Sequence, residues 1–210
     1  MNVVRKSLQF VCFLILMLVL PFPAGVLGAQ NEATPPDTSI EQPCADGRLR
    51  IRDLERADDT LQAGIDQTKQ AAAAWEEDAR LFALQLRCPL LETGFEWEAT
   101  FFSESAQAFW RSGTDEIDAA DNDPTTIKTL ITDNLSFQQL NRSLLRAGYS
   151  NDLVINVSTG VTIRYNTRDD PFGPSHAPVN VIFYHVAIEE RGEVKDVWVS
   201  VDDGTVYRYE

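Results

Sequence analysis

The chain has 210 residues and a formal net charge of −14, from 18 Lys+Arg against 32 Asp+Glu. That balance argues against nucleic acid and anionic membrane surfaces as partners, since both demand clustered positive charge. A hydrophobic content of 44% with four tryptophans calls for a packed core and argues against a disordered chain.

Residues 1–29 read as a secretory signal peptide. Arg5 and Lys6 give the positive start, Phe10 to Leu20 the apolar run, and Ala24, Gly25, Gly28 and Ala29 the small residues of a cleavage region. A spanning helix needs about 20 apolar residues, and Pro21 and Pro23 stand where a span would continue. Neither Cys12 nor Cys44 follows the cleavage region directly, so a lipid anchor is not expected. The expected location is secreted or extracytoplasmic, in the cell envelope. If the segment stays uncleaved, the same protein is tethered at the membrane. Residues 30–48, with Pro35, Pro36 and Pro43, read as a flexible spacer.

Ile51, Leu54, Leu61, Ile65, Ala72 and Trp75 are spaced as one face of a helix. The period then changes. Phe82, Leu84, Leu86 and Cys88 alternate as in a strand, and Pro89 ends it. Residues 95–102 and 106–111 read as two further strands, and residues 115–124 as an acidic linker. Ile127, Leu130 and Ile131 open a second helical stripe. Ser136 caps its continuation through Leu140, Leu144 and Leu145, and Gly148 stops it. Strands follow again at 153–157, 161–165, 179–188, 194–201 and 205–209, the last two flanking the turn Asp203-Gly204. The expected fold class is α+β: helix packed on antiparallel sheet, in two tandem helix-then-β-meander units over residues 49–120 and 121–210.

The ending Val197-Trp198-Val199-Ser200-Val201-Asp202-Asp203-Gly204-Thr205-Val206, with the helix Ser136–Ala147 upstream, resembles the PepSY-like family. The resemblance covers about residues 130–210, and more weakly 60–117. It implies a helix on an antiparallel sheet, no catalytic residues, and a link to binding and inhibition of peptidases in exported proteins.

Cys44 and Cys88 are the cysteines that survive cleavage, and outside the cytosol such a pair is a disulfide candidate. A helix from about Ile51 to Glu77 rises roughly 40 Å at 1.5 Å per residue. A strand from Ala79 to Cys88 returns roughly 33 Å at about 3.3 Å per residue. The chain must therefore turn near Asp78 if the two sulfurs are to meet.

Ordinary catalytic equipment is not evident. His176 and His185 lack metal-ligand spacing, and no Gly-x-Ser-x-Gly, Gly-x-Gly-x-x-Gly or Walker loop occurs. No cofactor and no metal are expected. Asp115, Glu116, Asp118, Asp121 and Asp123 lack the Asp-x-Asn-x-Asn-Gly calcium pattern. The aromatics remain: Phe95, Trp97, Phe101, Trp110 and Trp198 form the expected binding face, should one sheet face lack a helix cover. Three Asn-x-Ser triplets begin at Asn134, Asn141 and Asn156 and matter only in a glycosylating host. The expected function is an exported non-catalytic module that binds, and in one version inhibits, a peptidase or other protein or peptide outside the cytoplasm. The alternative is a small-ligand carrier or sensor with an apolar pocket between helix and sheet. An enzyme would need carboxylates such as Asp169, Asp170 and Glu189 to converge.

Overall fold

The structure is a computed structural model and describes residues 42–89, 93–114, 116–120, 123–156 and 158–208. The signal segment 1–29, the spacer up to residue 41, and Asp115, Asp121 and Val157 lie outside the described residues.

In chain order the elements are β1 (Leu49–Arg50), a 3-10 turn (Ile51–Arg56), α1 (Asp58–Trp75), β2 (Arg80–Arg87), β3 (Glu96–Ser103), β4 (Ala108–Arg111) and β5 (Glu116–Ala119). A 3-10 turn (Pro124–Thr126), α2 (Phe137–Arg146), β6 (Val154–Ile155), β7 (Val161–Asn166), β8 (Val181–Glu190), β9 (Glu193–Ser200) and β10 (Val206–Arg208) complete it. All strands pair antiparallel in one sheet, ordered β5-β4-β3-β2-β7-β8-β9-β10, with the β6–β1 ribbon beside the far half of β8. The α+β class with helices on an antiparallel sheet is therefore observed.

The central strands β2, β3, β7 and β8 bury side chains on the helix side of the sheet. One cross-strand row runs Ala99, Leu84, Ile163, Tyr184, Val199, and all five side chains are buried. The next runs Trp97, Leu86, Val161, Val186, Val197. Burying each large aliphatic or aromatic side chain stabilises by roughly 1.5–3 kcal/mol. α1 lies over β3, and its fit depends on Gly64, because a Cβ there would run into the Trp97 ring. The Trp97 indole N–H donates to Thr60 Oγ1 at 3.1 Å.

α2 is held at its start by three groups. Ser136 Oγ accepts from Gln139 N at 3.2 Å, the N-cap expected from sequence. Asp58, in the first turn of α1, accepts from Phe137 N at 2.7 Å and Gln138 N at 3.1 Å. Tyr184 reaches up from the sheet, its hydroxyl accepting from Ser136 N at 2.7 Å. Gly148 ends the helix with φ +93°.

Several sequence expectations differ from what is observed. Ile127, Leu130 and Ile131 do not form a helical turn. Residues 127–131 carry no helix, and Leu130 N donates to Leu81 O of β2 at 2.7 Å. The acidic tract is not a bare linker, since Glu116–Ala119 pairs with β4 as the edge strand β5. Residues 42–48, counted with the spacer, form turns, and Cys44 is buried there. Phe82 does not share a face with Leu84 and Leu86. A bulge between Leu81 and Ala83 sends it to the opposite face.

Cys44 and Cys88 are bonded, with S–S 2.01 Å and Cα atoms 5.5 Å apart. The chain turns at Glu76–Ala79, between α1 and β2. Asp78 fastens that turn, accepting from Ser103 Oγ at 2.6 Å and Ser105 N at 2.8 Å.

Candidate open-face binding site

The face of the sheet opposite the helices is covered on one side only. Over β8 and β9 the loop 167–180 packs on Phe183 and Trp198, contributing Phe172 and Ala177. Asn166, at the end of β7, staples this loop. Its Oδ1 accepts from Phe172 N at 2.8 Å and Gly173 N at 3.1 Å, and its Nδ2 donates to Pro178 O at 2.8 Å. Over β7, β2, β3 and β4 the same face is open, as a cleft of about 470 Å³.

The cleft follows from cross-strand register. One row runs Glu116, Arg111, Thr100, Ala83, Arg164. The next runs Glu98, Gln85, Thr162, His185. Small or neutral side chains therefore make the floor, and long charged ones make the walls. On one wall Arg111 pairs with Glu116 at 3.3 Å. On the other, Arg164 pairs with Asp170 at 2.7 Å and lies over two rings, Phe172 at 4.6 Å and Phe82 at 5.3 Å. A guanidinium between two aromatic faces gains cation–π attraction as well as its ion pair. The bulge that turns Phe82 over is what builds this clamp. At the lower end Arg87 bridges Glu96 and Glu98, and Gly113 leaves room for the Glu98 carboxylate, which a Cβ there would strike.

A second hollow of about 490 Å³ opens between α1 and β3, lined by Gln67, Thr68, Ala71, Phe95 and Trp97.

No protein-family model matches the chain, and no curated protein matches it. Among solved structures it is similar to the crystal structure of a "putative lipoprotein" from Clostridium difficile 630. The TM-score is 0.41 at 15% identity, covering 67% of this chain and 88% of that one.

The five aromatics named from sequence do not make one surface. Phe101 and Trp110 are buried on the helix side, Trp110 stacked on Trp75 with centroids 6.1 Å apart. Phe95 and Trp97 line the hollow beside α1. Trp198 is on the opposite face, 5% exposed, with the His185 ring stacked on it at 4.6 Å. His185 is a sheet residue with a local partner, Asp196 Oδ1 at 2.7 Å. His176 lies exposed in the loop. Among the described residues no cluster of three His, Cys, Asp or Glu side chains is arranged to hold a metal ion. No described helix is long and apolar enough to cross a membrane. Asp170 is committed to Arg164, while Glu189 accepts from Asn156 Nδ2 at 3.0 Å. Arg164 sits across from Phe183 on β8, and Glu189 is roughly 20 Å further along that strand at about 3.3 Å per residue, so these carboxylates do not converge.

Sequence reasoning missed Arg164, Phe82, Phe172 and Arg111 as wall residues. Only the register and the bulge bring them together. The one available signal was Phe172, an aromatic inside a Pro/Gly loop.

Proposed function

We propose that this is an exported, non-catalytic binding module that holds a partner protein against the open face of its sheet. The observation that carries the reading is the cleft over β7-β2-β3-β4, floored by Ala83, Thr100 and Thr162. The opposite face of the same strands is filled by buried side chains under the helices. A sheet with one face closed and the other open and ordered by ion pairs is suited to docking a surface. The disulfide supports a site of action outside the cytosol. The narrower version has an extracellular peptidase as the partner, inhibited without chemistry. We also read the chain as two PepSY-like helix-then-meander units. The order α1-β2-β3-β4-β5 followed by α2-β6-β7-β8-β9-β10 supports that reading.

The test fills the trough. Wild type and Thr100→Arg are compared for binding and inhibition across a panel of extracellular peptidases, and for co-purification of exported proteins. Binding that disappears in the variant at an unchanged Tm supports the open face. Equal binding by both proteins removes it.

A second reading has one observation in its favour. The hollow beside α1, with Phe95 and Trp97 on its wall, is where a small apolar ligand would lie between helix and sheet. Quenching or enhancement of tryptophan fluorescence by such a ligand, lost in Ala71→Trp, separates this reading from the first.

A further inference from the structure

The sheet ends at β5, and that edge is built unlike the interior strands. Ala120 N donates to Gln107 O at 2.9 Å, just beyond the Ala108–Ala119 pair. Antiparallel pairing alternates hydrogen-bonded and non-bonded pairs. Asp118 and Glu116 therefore exchange their backbone bonds with Phe109 and Arg111. The N–H and C=O groups of Ile117 and Ala119 point away from β4, on the edge where no described strand pairs with β5. All four residues of β5 are exposed. Ile117, 58% exposed, is one of the few large apolar side chains that the fold leaves in water. Asp118 lies on the opposite side of the strand, on the wall of the open cleft. It has no ion-pair or hydrogen-bond partner among the described residues. Glu116 stands two residues before it on the same side.

We propose that the outer edge of β5, unpaired among the described residues, is a strand-addition site for an extended basic segment of a partner protein. The segment alternates Lys or Arg with apolar residues. Strand addition takes its affinity from the backbone groups at the edge and its selectivity from alternate side chains. Here one side of the added strand meets Asp118 beside the cleft, and the other meets Ile117. The chain's net charge of −14 draws a basic segment in. It also disfavours a second copy of this chain, since β5 paired with itself would set Glu116 and Asp118 against each other. The inference rests on the binding reading above. It adds to that reading by naming the edge and the chemistry of the segment that docks there.

The experiment titrates a labelled, N-acetylated Lys-Val-Lys-Val-Lys-Val peptide against the disulfide-bonded mature protein and follows backbone amide exchange. Ile117→Pro removes an outward N–H and leaves the β4–β5 bonds intact, as proline on an edge strand allows. Asp118→Lys reverses the side-chain charge. Saturable binding is expected, at least tenfold weaker in each variant, with exchange at the Ile117 and Ala119 amides slowed in wild type. A Glu-Val-Glu-Val-Glu-Val peptide is expected not to bind wild type. Absent binding, equal binding by wild type and Ile117→Pro, or unchanged exchange at those two amides overturns the proposal. The exchange readout needs no variant to fold. Failure here with Thr100→Arg still abolishing partner binding sinks the edge and spares the face.

Discussion

Single atoms decide several of this protein's contacts. Gly64 is in the middle of α1, where alanine ordinarily favours a helix by about 1 kcal/mol. Here the extra methyl would displace the Trp97 ring. Gly64→Ala is therefore expected to destabilise by about 1–3 kcal/mol, as overpacking does, read from urea unfolding. Asp78 makes a prediction in pH. Hydrogen bonds from Ser103 and Ser105 hold its carboxyl down to about 2. A carboxylate depressed in the folded state contributes stability above its unfolded value of about 3.9 and loses it as pH falls through the folded value. Tm should thus fall between pH 4 and pH 2 less steeply in Asp78→Asn than in wild type. Parallel Tm curves would show that the turn does not depend on this charge. Asn141 makes the same point about context. It opens an Asn-x-Ser triplet, yet it is fully buried with Nδ2 donating to Ile51 O at 2.8 Å, so the folded chain cannot carry a glycan there.

At the scale of elements, loops and helix ends are tied by side chains from elsewhere in the chain. Asp58 begins one helix and caps the next. Removing it in Asp58→Ala should cost about 1–2 kcal/mol, the range for lost N-caps, measured by chemical denaturation. Asn166 holds the loop whose Phe172 forms one wall of the Arg164 clamp. Asn166→Ala leaves the buried Gly173 N–H and the half-buried Phe172 N–H without their partner, at a cost of about 1–3 kcal/mol. Faster amide exchange at Phe172 and Gly173 should accompany it. The disulfide closes a 44-residue separation. On the chain-entropy account its loss in Cys44→Ser/Cys88→Ser destabilises by about 4 kcal/mol, and the reduced wild type should unfold with the variant.

Across the whole molecule, stability should fall from the middle of the sheet to its ends. β8 is paired by β7 and β6 on one edge and β9 on the other, with most of its residues buried. β5 is paired once and fully exposed. Native-state hydrogen exchange is expected to find β8 slowest and β5 fastest; uniform protection would contradict that gradient. The same gradient gives the functional proposals their sense, because the rigid strands floor the cleft while the strand at the edge is free to accept another.

The sequence by itself determined the class, the later part of each helix, most strands, the Ser136 cap, the Gly148 stop and the Cys44–Cys88 pairing, while the first helix starts at Asp58 after a 3-10 turn at Ile51–Arg56 and the second only at Phe137. Each of these follows from local periodicity, capping chemistry or chain reach. It did not reveal the turn between β8 and β9, where Arg191 and Gly192 both take positive φ, because arginine is not a residue that marks such a turn. Nor could it place Phe82, whose alternation with Leu84 is undone by one bulged residue. The open face was decided by the tertiary structure alone. Thr100, Ala83, Arg164 and Arg111 come from four strands, and only the β2–β7 pairing sets them in one row. Alternation in sequence says that a strand has two faces. Which of them stays open depends on where α1, α2 and the loop 167–180 come to rest.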